Sequence, residues 1–136
     1  MKIFSWNVNS IRIRKAQLLN LINKESPDFV CLQETKTLNE QFPISDFEKI
    51  NYKVYTNGIS SYNGVAIITK HNLEKISVKN FCNKNDARHI EAKFGKLSIH
   101  SIYVPAGGDE PDEKKNEKFL HKLKFLDEMG KFFSSK

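Results

Sequence analysis

The segment DFVCLQETK, residues 28–36, decides the fold predicted for this chain, because an apolar run is followed directly by a polar cluster. Residues 29–32 are all apolar, which is the pattern of a strand that is buried on both faces. Glu34 comes where such a strand would reach the edge of its sheet. A carboxylate at this position either caps the next turn or serves a functional site, and the segment alone does not separate these alternatives.

The chain before this segment predicts a β-α-β unit. Residues 2–7 are β-prone and run into the loop signal NVNS, and residues 10–25 carry apolar side chains at near-helical spacing. The strands on either side of this helix should be parallel and joined by a right-handed crossover. The loops after both strands then open at one edge of the sheet, where α/β folds bind ligands. We therefore expect Asn7 and Glu34 to be neighbours.

The remainder of the chain predicts more strands and one long helix. The expected elements are a short helix at 43–50, strands at 52–56, 65–69 and 76–78, and a hairpin at 89–104. A tight turn at Gly95 joins the two arms of the hairpin. Residues 112–129 have a helical apolar face, with Gly130 as the expected stop. Phe132 and Phe133 then predict the start of a further strand.

Composition indicates one soluble globular unit. The chain has 136 residues, of which 39% are hydrophobic and 28% charged. It has no apolar run near the length of a membrane span and no leader pattern, so we expect a cytoplasmic protein without membrane contacts. The two cysteines, Cys31 and Cys82, lack metal-site spacing and are expected to be free thiols.

The charge distribution is compatible with a polyanionic partner. The formal net charge is +6, with 15 basic and 9 acidic residues at positions 1–108 and 7 of each at positions 109–136. A basic region of this kind suits nucleic acid. Many proteins are equally basic without such a partner, so charge alone leaves this question open.

Five motifs, in order along the chain, resemble the exonuclease III family of bacterial apurinic/apyrimidinic endonucleases, within the endonuclease/exonuclease/phosphatase superfamily. They are IFSWNVNS at 3–10, LQETK at 32–36, YNGVAI at 62–67, AR at 87–88 and YVP at 103–105. The resemblance implies an α/β fold that is half of a four-layer α/β sandwich, with one mixed β-sheet and flanking helices. Residues 1–136 would be the N-terminal half of such a domain, with the C-terminal half absent.

The family's chemistry is divalent-metal-dependent phosphodiester hydrolysis in DNA repair. The resemblance implies abasic-site endonuclease and 3′-5′ exonuclease activity on double-stranded DNA, with Mg²⁺ as the cofactor and Mn²⁺ as the alternative. Glu34 would be a direct metal ligand, in keeping with the preference of Mg²⁺ for carboxylate oxygens. Asn7 would add an amide oxygen to the metal shell or orient its partners. Tyr103 would be catalytic, placing its phenol against the phosphate.

Basic and amide side chains complete the site that the resemblance implies. The candidate DNA-binding residues are Arg88, Lys36 and Asn63, with Arg12, Arg14 and Lys70 as further candidates for phosphate contacts. For any one of these cations, a solvated surface position remains the alternative.

The resemblance ends about halfway through the family's pattern. The later motifs Gly-Asp-x-Asn and Ser-Asp-His do not occur in this sequence. They carry the general base and a phosphate-binding asparagine, and loss of a general base costs about 10² to 10⁴ in rate. The chain is therefore expected to be a truncated nuclease that is inactive alone, half of a split enzyme, or a non-catalytic nucleic-acid-binding remnant.

Two further expectations concern partners. The sheet face that the missing half would cover should be exposed and apolar, so a complementing C-terminal half or self-association through this face is expected. Some relatives cleave inositol phosphates or sphingomyelin instead of DNA. The QETK run at 33–36 and the YVP motif at 103–105 favour DNA.

Overall fold

The computed structural model describes all 136 residues, and the chain divides into two compact units. Unit 1 comprises Met1–Lys79 and Asp86–Tyr103, and unit 2 comprises Asn80–Asn85 and Val104–Lys136. No helix in either unit has the length and apolar composition needed to cross a membrane.

Unit 1 holds all the strands of the chain, in two sheets. Its elements are β1 (Ile3–Asn7), α1 (Ile11–Glu25), β2 (Phe29–Gln33), α2 (Ile44–Glu48), β3 (Lys53–Asn57), β4 (Val65–Thr69), β5 (Lys75–Ser77), β6 (His89–Phe94) and β7 (Leu97–Ile102). A mixed sheet has the strand order β1-β2-β4-β3, and a three-stranded sheet has the order β5-β6-β7. A 3-10 turn at Asn39–Gln41 precedes α2.

The first three elements form the predicted β-α-β unit. β1 and β2 are parallel neighbours, and α1 connects them. The helix buries Leu18 and Ile22 in one apolar cluster with Val30 of β2. Its C-cap is Ser26, which adopts the left-handed conformation (φ 46°) and donates its N–H to the Ile22 carbonyl at 2.8 Å. The expected helix and its parallel strands are confirmed.

The apolar run of β2 is continuous because this strand is covered on both faces. Val30 and Leu32 pack in the cluster that contains α1, whereas Phe29 and Cys31 pack in a second cluster on the opposite face. All four side chains are buried. Strand β4 lies antiparallel to β2 and is buried along its whole length, which completes the centre of the mixed sheet.

The three-stranded sheet covers the second face of the mixed sheet. Ile90, Ala92 and Ile99 of the β6-β7 hairpin form one buried cluster with Phe29. The hairpin is confirmed, with Gly95 at its turn (φ 58°). The predicted α/β class with a mixed sheet is also confirmed, but the expectation that this sheet stands alone with an exposed apolar face is wrong. The alternating apolar residues of the hairpin require a surface to pack on, and the mixed sheet supplies it.

Unit 2 contains one α-helix, α3 (Glu117–Ser134), which begins later than predicted. The expected start at residue 112 is wrong because Asp112 makes a turn instead, accepting the Asn116 N–H at 2.9 Å on its backbone carbonyl. Asn116 is the N-cap, and its side-chain oxygen accepts from the Lys118 N–H at 3.0 Å. An asparagine cap satisfies one of the unpaired N–H groups of the first turn.

The C-terminal end of α3 also differs from the prediction. The helix continues through Gly130, so Phe132 and Phe133 are helical and do not begin a strand. Within unit 2, the Phe81 ring lies 4.8 Å from the Phe125 ring and 5.9 Å from the Phe132 ring, between centroids. A glycine in a helix interior costs about 1 kcal/mol relative to alanine. Packing of the Phe132 ring against Phe81 offsets this cost, so the helix continues past Gly130.

Candidate active site

Asn7 and Glu34 meet where the parallel strands β1 and β2 end. Asn7 is the register partner of Gln33, and Glu34 is the next residue along the chain. The Asn7 Nδ2 donates a hydrogen bond of 2.7 Å to Glu34 Oε1. The expectation that these two side chains are neighbours is therefore confirmed.

The backbone around Glu34 is held in an uncommon conformation. Glu34 has φ 53°, and on the neighbouring loop Asn9 and Ser10 have φ 43° and 89°. The Ser10 N–H donates to the Glu34 carbonyl at 2.8 Å and thereby ties the two loops together. Left-handed conformations of non-glycine residues cost of order 1–3 kcal/mol each and are concentrated at functional sites.

Two more segments join this pair of loops through backbone hydrogen bonds. The Thr35 N–H donates to the Gly64 carbonyl at 3.1 Å, and the Lys36 N–H donates to the Asn63 carbonyl at 2.9 Å. The Gly64 N–H in turn donates to the Ala87 carbonyl at 3.1 Å. The loops that carry the sequence motifs are therefore one connected network, which holds their side chains in place before any ligand binds.

Tyr103 follows β7 and brings its phenol to Glu34. Its backbone N–H donates to the Arg88 carbonyl at 2.8 Å. Burial, and then interaction with the Glu34 carboxylate, raise the pKa of Tyr103 above its ordinary value, while Arg88 acts in the opposite direction. The phenol therefore keeps its proton at neutral pH and can act as a hydrogen-bond donor.

Glu34 is kept ionised by its surroundings. The hydrogen bond from Asn7 is the largest cause that lowers the pKa of Glu34, and Tyr103 and Lys36 act in the same direction against partial burial. The Lys36 Nζ lies 3.4 Å from Glu34 Oε2 and donates to Asn9 Oδ1 at 2.5 Å. Lys36 thus belongs to the site, and its predicted contact with DNA stays a prediction.

Arg88 and Asn63 both engage a residue that the sequence analysis missed, Asp86. The Arg88 Nε donates to Asp86 Oδ2 at 2.6 Å, and the Asn63 Nδ2 donates to the Asp86 carbonyl at 2.8 Å. Asn63 itself is buried. DNA binding by these two residues stays a prediction. The only sequence signal for Asp86 was its place two residues before Arg88, a spacing that is common in loops.

Lys70 lies away from these side chains. Its Nζ donates to the Ser26 carbonyl at 2.9 Å and lies 3.5 Å from Asp28 Oδ1. Asp28 immediately precedes β2, whereas Glu34 follows it, so Lys70 belongs to the opposite end of that strand. Its basic character does not bring it to the site.

The side chains present fit a hydrated Mg²⁺ bound through a single carboxylate. No group of three or more His, Cys, Asp or Glu side chains is arranged to enclose a metal ion. Mg²⁺ commonly keeps several waters and takes only one or two protein carboxylates plus substrate phosphate, so Glu34 is a suitable ligand. The Asn7 Oδ1 accepts from the Asn9 N–H at 3.2 Å and retains its second lone pair.

Comparison with known proteins gives a consistent result. Residues 4–130 match the profile of the endonuclease/exonuclease/phosphatase family. The chain is 35% identical over 133 residues to exodeoxyribonuclease III of Haemophilus influenzae, which covers 90% of this chain and 49% of that protein.

Solved structures agree with the fold. An AP endonuclease from Archaeoglobus fulgidus superposes with a TM-score of 0.85 at 34% identity, covering 95% of this chain and 49% of that one. A 3′ phosphatase from Neisseria, bound to a product DNA hairpin, superposes with a TM-score of 0.77 at 30% identity, covering 96% and 53%. The chain therefore spans about half the length of the relatives that it matches.

Proposed function

The chain belongs to the endonuclease/exonuclease/phosphatase family, and we propose that it is part of a metal-dependent DNA repair nuclease of the exonuclease III type, working in the cytoplasm. Its substrate is double-stranded DNA with abasic sites or 3′ ends. The observation that carries this proposal is the convergence of Asn7, Glu34 and Tyr103 at one edge of the sheets.

Glu34 is the proposed metal ligand. Its carboxylate is ionised at neutral pH because Asn7 donates to it, so it can take a hard divalent cation without first losing a proton. A bound Mg²⁺, or Mn²⁺, would neutralise negative charge on the scissile phosphate. Asn7 sets the orientation of the carboxylate and offers Oδ1 to the metal shell.

Tyr103 is the proposed phosphate contact. Its phenol is protonated at neutral pH, so it can donate a hydrogen bond to the oxygen on which negative charge develops. Lys36 lies beside Glu34 and offers a compact positive charge for the DNA backbone. These roles orient and stabilise the phosphate, and none of them activates the attacking water.

We place the general base outside this set of side chains. Glu34 is committed to the metal, and the Asp86 carboxylate is paired with Arg88 at 2.6 Å. The remaining part of a family domain, or a second copy of this chain, would have to supply the base. Loss of a general base costs about 10² to 10⁴ in rate, so we expect this chain alone to cut very slowly.

A second candidate function is binding of nucleic acid without cleavage. Positions 1–108 carry 15 basic and 9 acidic residues, and this excess suits a polyanion. The two candidates agree on DNA as the ligand and differ only in whether a phosphodiester bond is broken.

The test uses a labelled duplex with one abasic-site analogue, incubated with Mg²⁺ and the full 136-residue chain. Fluorescence anisotropy reports binding and a denaturing gel reports cleavage. Glu34→Gln is compared with Glu40→Gln, which removes the same charge from an exposed position in a 3-10 turn. The assay is repeated after adding a separately produced C-terminal half of a family member.

We expect Mg²⁺-dependent binding that Glu34→Gln weakens and Glu40→Gln leaves unchanged, with cleavage appearing only after the second half is added. Cleavage by the chain alone would overturn the placement of the base, and cleavage that survives Glu34→Gln would overturn the assigned ligand. Heparin serves as a polyanion that is not DNA. If the chain binds the abasic duplex no more tightly than it binds heparin, the assignment of DNA as its ligand is wrong.

A further inference from the structure

The Arg88 guanidinium is directed into the protein. Its Nε donates to Asp86 Oδ2 at 2.6 Å, and its Nη1 donates to the Tyr103 carbonyl at 3.3 Å. The side chain of Arg88 is only 14% exposed. Two of its five N–H donors are therefore used within unit 1, and its low exposure limits access of a surface phosphate to the others.

The same guanidinium covers the Tyr103 ring. Its central carbon lies 4.8 Å from the ring centroid, within the range of a cation-π contact. Because the guanidinium is planar and rigid, the hydrogen bond to Asp86 fixes the plane that faces the ring. Arg88 thus holds Tyr103 by the backbone carbonyl and by the ring at the same time.

Asp86 is itself fixed by its neighbours. Its carbonyl accepts from the Asn63 Nδ2 at 2.8 Å, and the next residue, Ala87, accepts from the Gly64 N–H at 3.1 Å. The Tyr103 N–H donates back to the Arg88 carbonyl at 2.8 Å. Backbone and side-chain contacts therefore hold residues 86–88 against both the loop of Gly64 and the segment that carries Tyr103.

We propose that Asp86 and Arg88 form a positioning pair, which holds the Tyr103 ring so that its hydroxyl faces Glu34. In this role, which replaces the predicted DNA contact of Arg88, the guanidinium acts on the reaction through Tyr103 and not through the DNA phosphates. The catalytic value of the pair rests on the proposed function, because that function assigns Tyr103 to the phosphate. The orientation of the Tyr103 ring by the pair is inferred from the geometry of unit 1 alone.

The first test observes the Tyr103 ring directly in the full chain. The protein contains four tyrosines, so selective ¹³C labelling gives a simple aromatic NMR spectrum, and Tyr103→Phe assigns the signal. Asp86→Asn is the decisive variant, since it retains Arg88 and removes only the charge that fixes it. Arg88→Gln and Arg88→Lys complete the series, and Lys24→Gln, which removes a positive charge at an exposed position on α1, is the matched control.

We expect Asp86→Asn and Arg88→Gln to shift the Tyr103 signals and to speed its ring flips, while the other three tyrosines stay unchanged. Lysine should not rescue, because it lacks the planar fork. The double variant Asp86→Asn/Arg88→Gln should match Arg88→Gln, since the Asp86 carboxylate acts only through Arg88. Unchanged Tyr103 signals in Asp86→Asn would overturn the positioning pair, and unchanged signals from the other tyrosines verify that each variant is folded.

The second test separates positioning from phosphate contact by the salt dependence of DNA binding. The logarithm of the binding constant falls linearly with the logarithm of the salt concentration, and each lost phosphate contact makes this slope less steep by about 0.9. We expect Arg88→Gln to leave this slope unchanged. A slope reduced by about 0.9 would overturn the claim that Arg88 acts through Tyr103. A chain that binds no DNA would contradict the proposed function, and the NMR result would still decide the positioning role.

Discussion

The Asn7 Nδ2 donates a hydrogen bond of 2.7 Å to Glu34 Oε1, across a sequence separation of 27 residues. This contact exists because β1 and β2 are parallel and in register at Asn7 and Gln33. It couples the end of the first strand to the carboxylate that we propose as the metal ligand. The charge state of Glu34 therefore depends on a residue from another strand.

Asn7→Ala should raise the pKa of Glu34. The asparagine hydrogen bond is the largest cause that lowers this pKa, so its loss favours the protonated carboxyl. A titration of the glutamate side chains by carboxyl ¹³C NMR measures the change, with Asn20→Ala on α1 as the control. In the wild-type chain the stabilisation from Glu34 is present above its unfolded pKa, about 4.3, and is lost as pH falls through the lower folded pKa. An unchanged Glu34 pKa in Asn7→Ala would contradict this account.

Gly64→Ala should destabilise unit 1 more than Gly95→Ala. Both glycines have positive φ, 89° and 58°, so alanine carries a backbone cost of about 1–2 kcal/mol at each. At Gly64 the added Cβ would also lie 2.2 Å from Thr35 Oγ1, whereas nothing lies within 4 Å at Gly95. Overpacking of this kind adds roughly 1–3 kcal/mol.

Urea unfolding of the two glycine variants measures the difference. Thr35→Ala in the Gly64→Ala background removes the atom that clashes, and should recover the overpacking part of the loss but not the backbone part. Equal losses of stability in Gly64→Ala and Gly95→Ala would argue against a steric role for the close approach.

Asp28 should make the chain sensitive to acid. The backbone N–H of Lys2 donates to Asp28 Oδ2 at 2.7 Å, and His71 Nε2 lies 2.8 Å from Oδ1. These contacts, the Lys2 hydrogen bond first, lower the pKa of Asp28 well below its usual range. A depressed pKa contributes stability above the unfolded value near 3.9, and this stability is lost as pH falls further.

Thermal melts between neutral and acidic pH check this prediction. We expect the melting temperature of Asp28→Asn to be lower at neutral pH and to fall less steeply below about pH 4. Asp109→Asn removes an exposed carboxylate and should melt like the wild-type chain at every pH. Parallel curves for the wild-type chain and Asp28→Asn would contradict the assignment.

Cys31 should be unreactive in the folded chain. It is 4% exposed, and burial raises its pKa from 9.0 to about 11. At pH 8 the change in thiolate fraction alone slows alkylation by roughly 100-fold. In Cys82→Ser, which isolates the Cys31 thiol, iodoacetamide labelling should be slow in buffer and rapid in urea. Similar rates under both conditions would place Cys31 outside the core.

Much of the site follows from local sequence patterns. The apolar run at 29–32 predicts a doubly covered strand, and the helical spacing before it predicts a parallel β-α-β unit. That geometry is sufficient to bring Asn7 beside Glu34, because the ends of adjacent parallel strands share one sheet edge. Tyr103 could be named only through the resemblance to a family, since a tyrosine at the end of a strand is ordinary.

Other features depend on contacts that no local pattern specifies. Asp86 belongs to no helical or strand pattern in the sequence. Its role is evident only from the structure, in which Arg88 contacts both the Asp86 carboxylate and the Tyr103 ring. The left-handed backbone of Glu34 is likewise imposed by hydrogen bonds from neighbouring loops. Such conformations are unfavourable locally and persist only when the surrounding structure compensates for them.

By itself the sequence determined the strands, the first helix, the hairpin and the meeting of Asn7 with Glu34, because periodicity and strand direction are local properties. Only the tertiary structure decided that the hairpin forms a second sheet over Phe29, and that α3 continues through Gly130. Both outcomes depend on which apolar surfaces are available for burial between residues distant in sequence. The tertiary structure also decided that Arg88 faces Tyr103, since the direction of a side chain is set by the partners that surround it.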